Sequence, residues 1–254
     1  MIDGLWEATV SDRTSLYLLD HLAGCVWYSR RSLFIVPGVN ELSDSIAWPS
    51  RDPEWVTKVL LIGLIGVIPI VGQMNLLGWM LTALDNLRGG RAELPPAGFH
   101  YIGRGVNLFV VTLIYGVLIG LTFGILFGVG LGISVGTDGR ASAIGVPLIL
   151  LAYTLALLGA LAWYLFLPAV IVATERAGIS GGLNVPSLAA MIGADVNAAL
   201  QHGLFALIAY LIGGLGVILC FVGLIFTTPY GYAVLAGVVN HYEQTTGPRA
   251  TSVA

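Results

Sequence analysis

Four histidines, His21, His100, His202 and His241, are the side chains of this 254-residue sequence that exchange protons near neutral pH, and imidazole is also a common metal ligand. No two stand four residues apart, the spacing that sets two ring nitrogens on one helix face for a zinc ion. Each reads instead as an interfacial side chain at the edge of an apolar run. Cys25 lies in a polar context and Cys220 in an apolar one, so neither a disulfide framework nor a thiolate site is indicated. No serine occupies a nucleophile elbow. The glycine-rich pieces RGGRAE and ISGGLN lack the lysine and hydroxyl of a phosphate loop. The expectation is a protein that is not an enzyme and holds no cofactor or metal.

The elements that must carry these residues follow from composition: 57% of residues are hydrophobic and 10% are charged, against roughly 25% charged in a soluble domain. Long runs without a charged side chain, Val59 to Leu84, Gly105 to Thr137, Ala141 to Thr174 and Val196 to Tyr242, are separated by short charged loops. Runs of this length suit helices crossing about 30 Å of hydrocarbon. The fold class is therefore an all-α integral membrane protein, a bundle of about four to six membrane segments. Because no acid or base falls well inside a span, a proton relay, voltage sensor or charge-coupled antiporter is disfavoured. A net charge of −3 with no basic stripe sets nucleic acid aside.

Within the bilayer region the conspicuous polar groups are Gln73, Asn75, Thr227, Thr228, Tyr230 and Tyr232. They flank prolines at positions 69 and 229, and Pro168 is a third instance. Proline lacks the N–H that continues a helix and crowds the carbonyl four residues earlier, so Pro69, Pro168 and Pro229 are expected helix breaks. The nearby polar groups either satisfy the freed backbone or, with Gln73, Asn75 and Tyr230 as lining, form a pathway for a small uncharged solute.

Along the chain, residues 1–54 read as a polar N-terminal arm, cytoplasmic or interfacial, residues 55–242 as the membrane domain, and residues 243–254 as a polar tail. The first thirty residues lack the basic-then-apolar order of a signal peptide and are expected to be retained. The loop bearing Arg88, Arg91 and Arg104 is expected on the cytoplasmic side, as are both termini, in a cytoplasmic (inner) membrane. The Pro69 segment then has to enter and leave on one side. LNVPSLAAMIGADVNAALQ places Leu188, Met191, Ile192, Val196, Ala199 and Leu200 on one helical face, predicting an interfacial amphipathic helix that runs into the next span. The last apolar run is expected to turn near Gly213 to Gly216 and resume from about Val217.

The stretch GVLIGLTFGILFGVGLG sets Gly116, Gly120, Gly124, Gly128 and Gly132 at an unbroken spacing of four. In lipid, helices associate by close packing rather than by escaping water, and small residues admit a neighbouring backbone. The ladder is therefore a candidate helix-packing face, a glycine zipper. The glycine-rich IGGLG segment is the first choice of partner, and a second copy or another subunit is the alternative.

The order AWPSRDPEWVTK, then IPIVG with GW shortly after, then LPP, then CFVGLIFTTPYGYAVLAGVVNHY, resembles a family of prokaryotic polytopic membrane proteins known only as a domain of unknown function, over residues 46–242. The resemblance implies an all-helical domain in the cytoplasmic membrane and carries over no catalytic residue, cofactor or activity. The functional expectation is a structural or accessory subunit of a membrane complex. Its partners would be the lipid bilayer and a protein or second copy docked through the glycine face or the N-terminal arm. A channel or transporter for a small, largely uncharged solute is the alternative.

Overall fold

Pro69 divides the first apolar run into two helices. The structure is a computed structural model that describes residues 42–136, 142–218 and 222–246; the rest of the arm, His21, Cys25, Cys220 and residues 247–254 lie outside the described residues. These belong to a compact unit running Val39–Ala254. The described residues are mostly helical, with an extended loop at residues 91–98, and carry no strand. In chain order they form α1 (Asp44–Ala47) with a 3₁₀ turn at Trp48–Arg51, α2 (Trp55–Gly66), α3 (Val71–Arg88), α4 (Ile102–Gly136), α5 (Ser142–Gly182), α6 (Val185–Ala194), α7 (Val196–Gly214), a 3₁₀ turn at Leu215–Val217, and α8 (Leu224–Thr246). Three of them, α4, α5 and α7, are long and apolar enough to cross a membrane.

The helices pair as three hairpins, α2/α3, α4/α5 and α7/α8, whose charged ends meet in one layer. Arg88 at the end of α3 bonds Glu175 of α5 at 2.6 Å and Glu243 of α8 at 2.7 Å. Arg104 at the start of α4 pairs with Asp85 of α3 and lies 3.1 Å from Glu175. Arg176 reaches Glu243 at 3.7 Å. At the other edge of the layer, Lys58 of α2 bonds Asp52 at 2.7 Å and the Leu94 carbonyl at 3.1 Å. Apolar segments between these ends account for the architecture, because each helix leaves and rejoins the polar layer only where the sequence supplies charge.

The tip of the first hairpin is apolar and open, with Leu64, Val67, Ile68, Ile70 and Val71 all exposed. Its turn is tight. Ile70 has φ 64° and ψ −64°, and the Val71 N–H donates to the Pro69 carbonyl at 2.7 Å, which is a γ-turn of the strained positive-φ form. The two other prolines behave differently from the expectation of breaks. α5 continues through Pro168 and α8 through Pro229, and the non-helical residues of α5 are Ala177 and Gly178. Neighbouring helices in a bundle can cover the carbonyl a proline strands, so a missing N–H need not end the helix. The amphipathic stretch also differs. It is divided between α6 and α7 at Asp195, whose side chain accepts from the Ala198 N–H and caps α7. Leu188 and Ala199 are buried while Val196 and Leu200 are exposed, so the predicted single face is split between two helix axes. The second half of the last run begins at Leu224 rather than near Val217.

Residues 42–54 of the expected arm pack on α8. Trp48 is fully buried and its indole N–H donates to the Ala233 carbonyl at 3.0 Å. The Tyr230 hydroxyl donates to the Ile46 carbonyl at 2.8 Å.

Candidate functional site

Three groups of residues were singled out by spacing: the glycine ladder, the proline segments with their polar neighbours, and the histidines. The ladder lies on α4, a helix of 35 residues, about 52 Å long at 1.5 Å per residue. Such a helix outreaches a hydrocarbon layer of about 30 Å unless it tilts. Among the described residues its later turns pack on α5, and only 11% of its most apolar window is buried. The seam between α4 and α5 is aromatic. Tyr115 packs on Trp163 with centroids 5.1 Å apart, and Phe123 and Phe127 pack on Tyr153 at 5.5 and 5.9 Å. Farther along, Gly130 meets Gly145, with a methyl on either glycine falling within 3 Å of the other's carbonyl oxygen.

Gly116, Gly120, Gly124 and Gly128 follow the seam residues Tyr115, Ile119, Phe123 and Phe127, of which Ile119 lies against Gly159 of α5, so they sit about 100° around the helix from the seam. All five ladder glycines are exposed, and a methyl group added to any of them would meet no described atom within 4 Å. Among the described residues the expected internal partner is thus absent. Two of the three IGGLG glycines are engaged elsewhere, Gly213 against Gly231 and Gly216 against the start of α8, while Gly214 meets open space. The reason is connectivity: the short link between α7 and α8 pairs those two helices with each other, at a distance from the outer face of α4.

The glycines that do seat backbone on backbone are ones whose spacing carried no pattern. Gly78 of α3 and Gly105 of α4 face each other so closely that a methyl on either would strike the other helix's main chain, as would a methyl on Gly63 against α8. The chain offers a weak signal for the first of these, since Gly105 opens the apolar run of α4, but no rule of spacing selects Gly78.

Gln73, Asn75 and Tyr230 are each bound to a backbone carbonyl. Gln73 reaches Gly66 at 3.4 Å, across the broken turn at Pro69. Asn75, fully buried, donates to the Gly98 carbonyl at 2.8 Å, and Tyr230 holds Ile46. Gln73 borders a mostly apolar crevice of about 290 Å³ with Gly63, Gly66, Thr228 and Pro229. Asn75 instead belongs to a set that laces the LPPAG loop down. Trp79 donates to Pro95 at 3.0 Å, Tyr101 to Pro96 at 2.7 Å and Asn86 to Glu93 at 2.9 Å. Prolines at 95 and 96 remove two donors from this loop, so its carbonyls need side-chain partners. Thr227 bonds the Gly213 carbonyl at 2.7 Å and accepts from the Gly216 N–H at 3.1 Å, closing the far end of the α7/α8 hairpin.

The polar layer is internally neutralised. For Arg88, burial by itself would lower the guanidinium pKa, but its bonds to Glu243 and Glu175 and their charges push it further up. Asp52 is 2% exposed. Burial alone would raise its carboxyl, yet the Lys58 ammonium and the N–H groups of Glu54 and Leu94 hold it below the ordinary value. His202 and His241, 39 residues apart in sequence, lie with Nε2 and Nδ1 2.9 Å apart. Sequence spacing on a single helix could not have found this pair. His100 is exposed on the LPPAG loop side, its ring against Tyr101 at 3.9 Å. Among the described residues no group of three or more His, Cys, Asp or Glu side chains converges on a point.

No curated protein and no solved structure matches the chain. A family model described as "Protein of unknown function (DUF4013)" matches residues 61–227, a range that begins in α2, includes both long hairpin helices and ends in α8. The α4/α5 hairpin, the laced loop and the Gly63 to α8 contact all fall within that match, and the chain belongs to this family of unknown function.

Proposed function

We propose that this is a non-enzymatic protein of the cytoplasmic membrane that serves as a structural or accessory subunit, receiving a helix of another subunit or of a second copy on the glycine face of α4. The observation that carries this reading is the exposure of Gly116, Gly120, Gly124, Gly128 and Gly132, each with open space where a side chain would stand. A helix surface of bare backbone forfeits dispersion contact with lipid chains that cannot follow it closely, and a second helix recovers that contact. Engagement of Gln73, Asn75 and Tyr230 by backbone carbonyls supports this reading over a solute pathway.

The test uses the full chain extracted in mild detergent from its own membrane. Gly124→Leu fills the middle of the groove and is expected to abolish recovery of the co-purifying subunit or of the dimer, with unfolding of the separated chain unchanged. Leu118→Ala, also exposed but a side chain rather than a gap, is expected to leave association within twofold. Association unchanged by Gly124→Leu overturns the proposal.

A further inference from the structure

The α7/α8 hairpin brings the rings of His202 and His241 to a centroid separation of 5.1 Å. His202 is 1% exposed, and its Nδ1 lies 2.6 Å from the Ala198 carbonyl oxygen. A carbonyl oxygen only accepts, so Nδ1 of His202 carries a proton in every charge state of the ring. Between Nε2 of His202 and Nδ1 of His241, 2.9 Å apart, there is room for a single proton. When the pair is neutral, Nδ1–H of His241 donates to the bare Nε2 of His202. With one added proton, on either ring, the same bond persists. A second added proton sets N–H against N–H and places two like charges on neighbouring rings.

We propose that His202 and His241 form a one-proton clasp at the polar end of the α7/α8 hairpin, holding the two helices together with zero or one added proton and releasing them with two. The groups that face the pair set its surroundings. Asp195 on α7 caps that helix at the Ala198 N–H, 2.9 Å away. From α8, the Tyr242 ring stands edge-on to His202 at 5.3 Å, and Glu243 follows two residues after His241. Arg176 and Glu175 of α5 and Arg88 of α3 converge on or beside Glu243. α6 contributes no charged side chain. Glu243 is therefore the link between the clasp and the polar layer: release at His241 frees the last turn of α8 and draws Glu243 away from Arg88 and Arg176.

The experiment is a titration of the full chain in lipid nanodiscs between pH 8 and pH 4, with 15N-labelled histidine and a pair of spin labels at Leu200 and Thr246. The signals of His202 and His241 are expected to move in two shared steps separated by about two pH units, the spacing that repulsion between adjacent rings imposes. The label distance is expected to widen in the lower step alone. In His241→Gln, His202 should titrate in a single step and the low-pH widening should vanish. One step in the wild-type protein, or a His202 curve that ignores loss of its neighbour, overturns the clasp. So does widening that persists in the variant. If His241→Gln does not fold, the wild-type titration decides by itself, because uncoupled rings give one step each with no shared midpoint.

Discussion

Gly63 of α2 lies directly against the carbonyl oxygen of Ile225, the residue four places before Pro229 in α8. Pro229 has no N–H to offer that carbonyl. The stranded oxygen instead rests on the bare Cα of Gly63, a Cα–H to oxygen approach that only glycine permits here. The proline and the glycine are therefore one device, and they explain why α8 runs through Pro229 without breaking.

Gly63→Ala forces α2 and α8 apart, with an expected loss of about 1 to 3 kcal/mol, the range for overpacking a tight contact. Gly116→Ala, which meets open space, is expected to be neutral or to stabilise by up to about 1 kcal/mol through helix propensity. Denaturant unfolding of both variants in one detergent measures the contrast, and equal effects would contradict the packing described.

The γ-turn at Ile70 holds a β-branched residue at φ 64°, a conformation that stores about 1 to 3 kcal/mol. Ile70→Gly is expected to relieve part of this and stabilise the α2/α3 hairpin by up to about 1 kcal/mol, since glycine also raises the entropy of the unfolded chain. Hydrogen exchange of the first turn of α3 is the direct readout. Faster exchange in the variant would show that the turn is unstrained.

Asp52 links acid to stability. Its folded-state pKa is depressed by Lys58 and two backbone N–H groups, so the stabilisation is fully present above the unfolded value of about 3.9 and is lost as pH falls through the lower folded value. Unfolding midpoints should therefore decline below about pH 4. In Asp52→Asn that part of the decline should disappear and the midpoint at pH 7 should drop. An acid limb identical in both proteins would rule out this carboxylate as its source.

Ala97, in the laced loop of the polar layer, and Ile218, at the far end of the α7/α8 hairpin and 77% exposed, are expected on opposite sides of the membrane. Single cysteines at these positions, in a background lacking Cys25 and Cys220, should label differently in intact cells. Ile218→Cys should react with an impermeant reagent, and Ala97→Cys should react only after lysis. Equal labelling of the two in intact cells would contradict the single polar layer.

Much of the architecture was legible in the sequence because it follows from solvent. Uncharged runs have to be helical in lipid, and charged residues such as Arg88, Arg104 and Glu175 have to sit at the helix ends. Pro69 was legible as a break for the same local reason, with Gln73 positioned to reach back to Gly66. Pro168 and Pro229 misled because a proline's effect depends on what covers the carbonyl it strands, and for Pro229 that cover is Gly63, more than 160 residues away.

The candidate sites divide along the same line. The even spacing of the ladder glycines is a property of one helix, and it correctly describes a bare stripe on α4. Whether another helix fills that stripe is a relation between helices, and the chain's own connectivity left it open while joining Gly78 to Gly105 and Gly63 to Ile225. His202 and His241 show the contrast most plainly. Neither has a neighbour within its own helix that marks it, and a hairpin turn near the far end of α7 sets their register. By itself the sequence determined the solvent, the helical class and the polar ends, because these depend on the local density of charge and apolar surface. Tertiary structure alone decided which glycines touch and which imidazoles meet, because close approach depends on the relative placement of two helices, and no spacing along one of them encodes that.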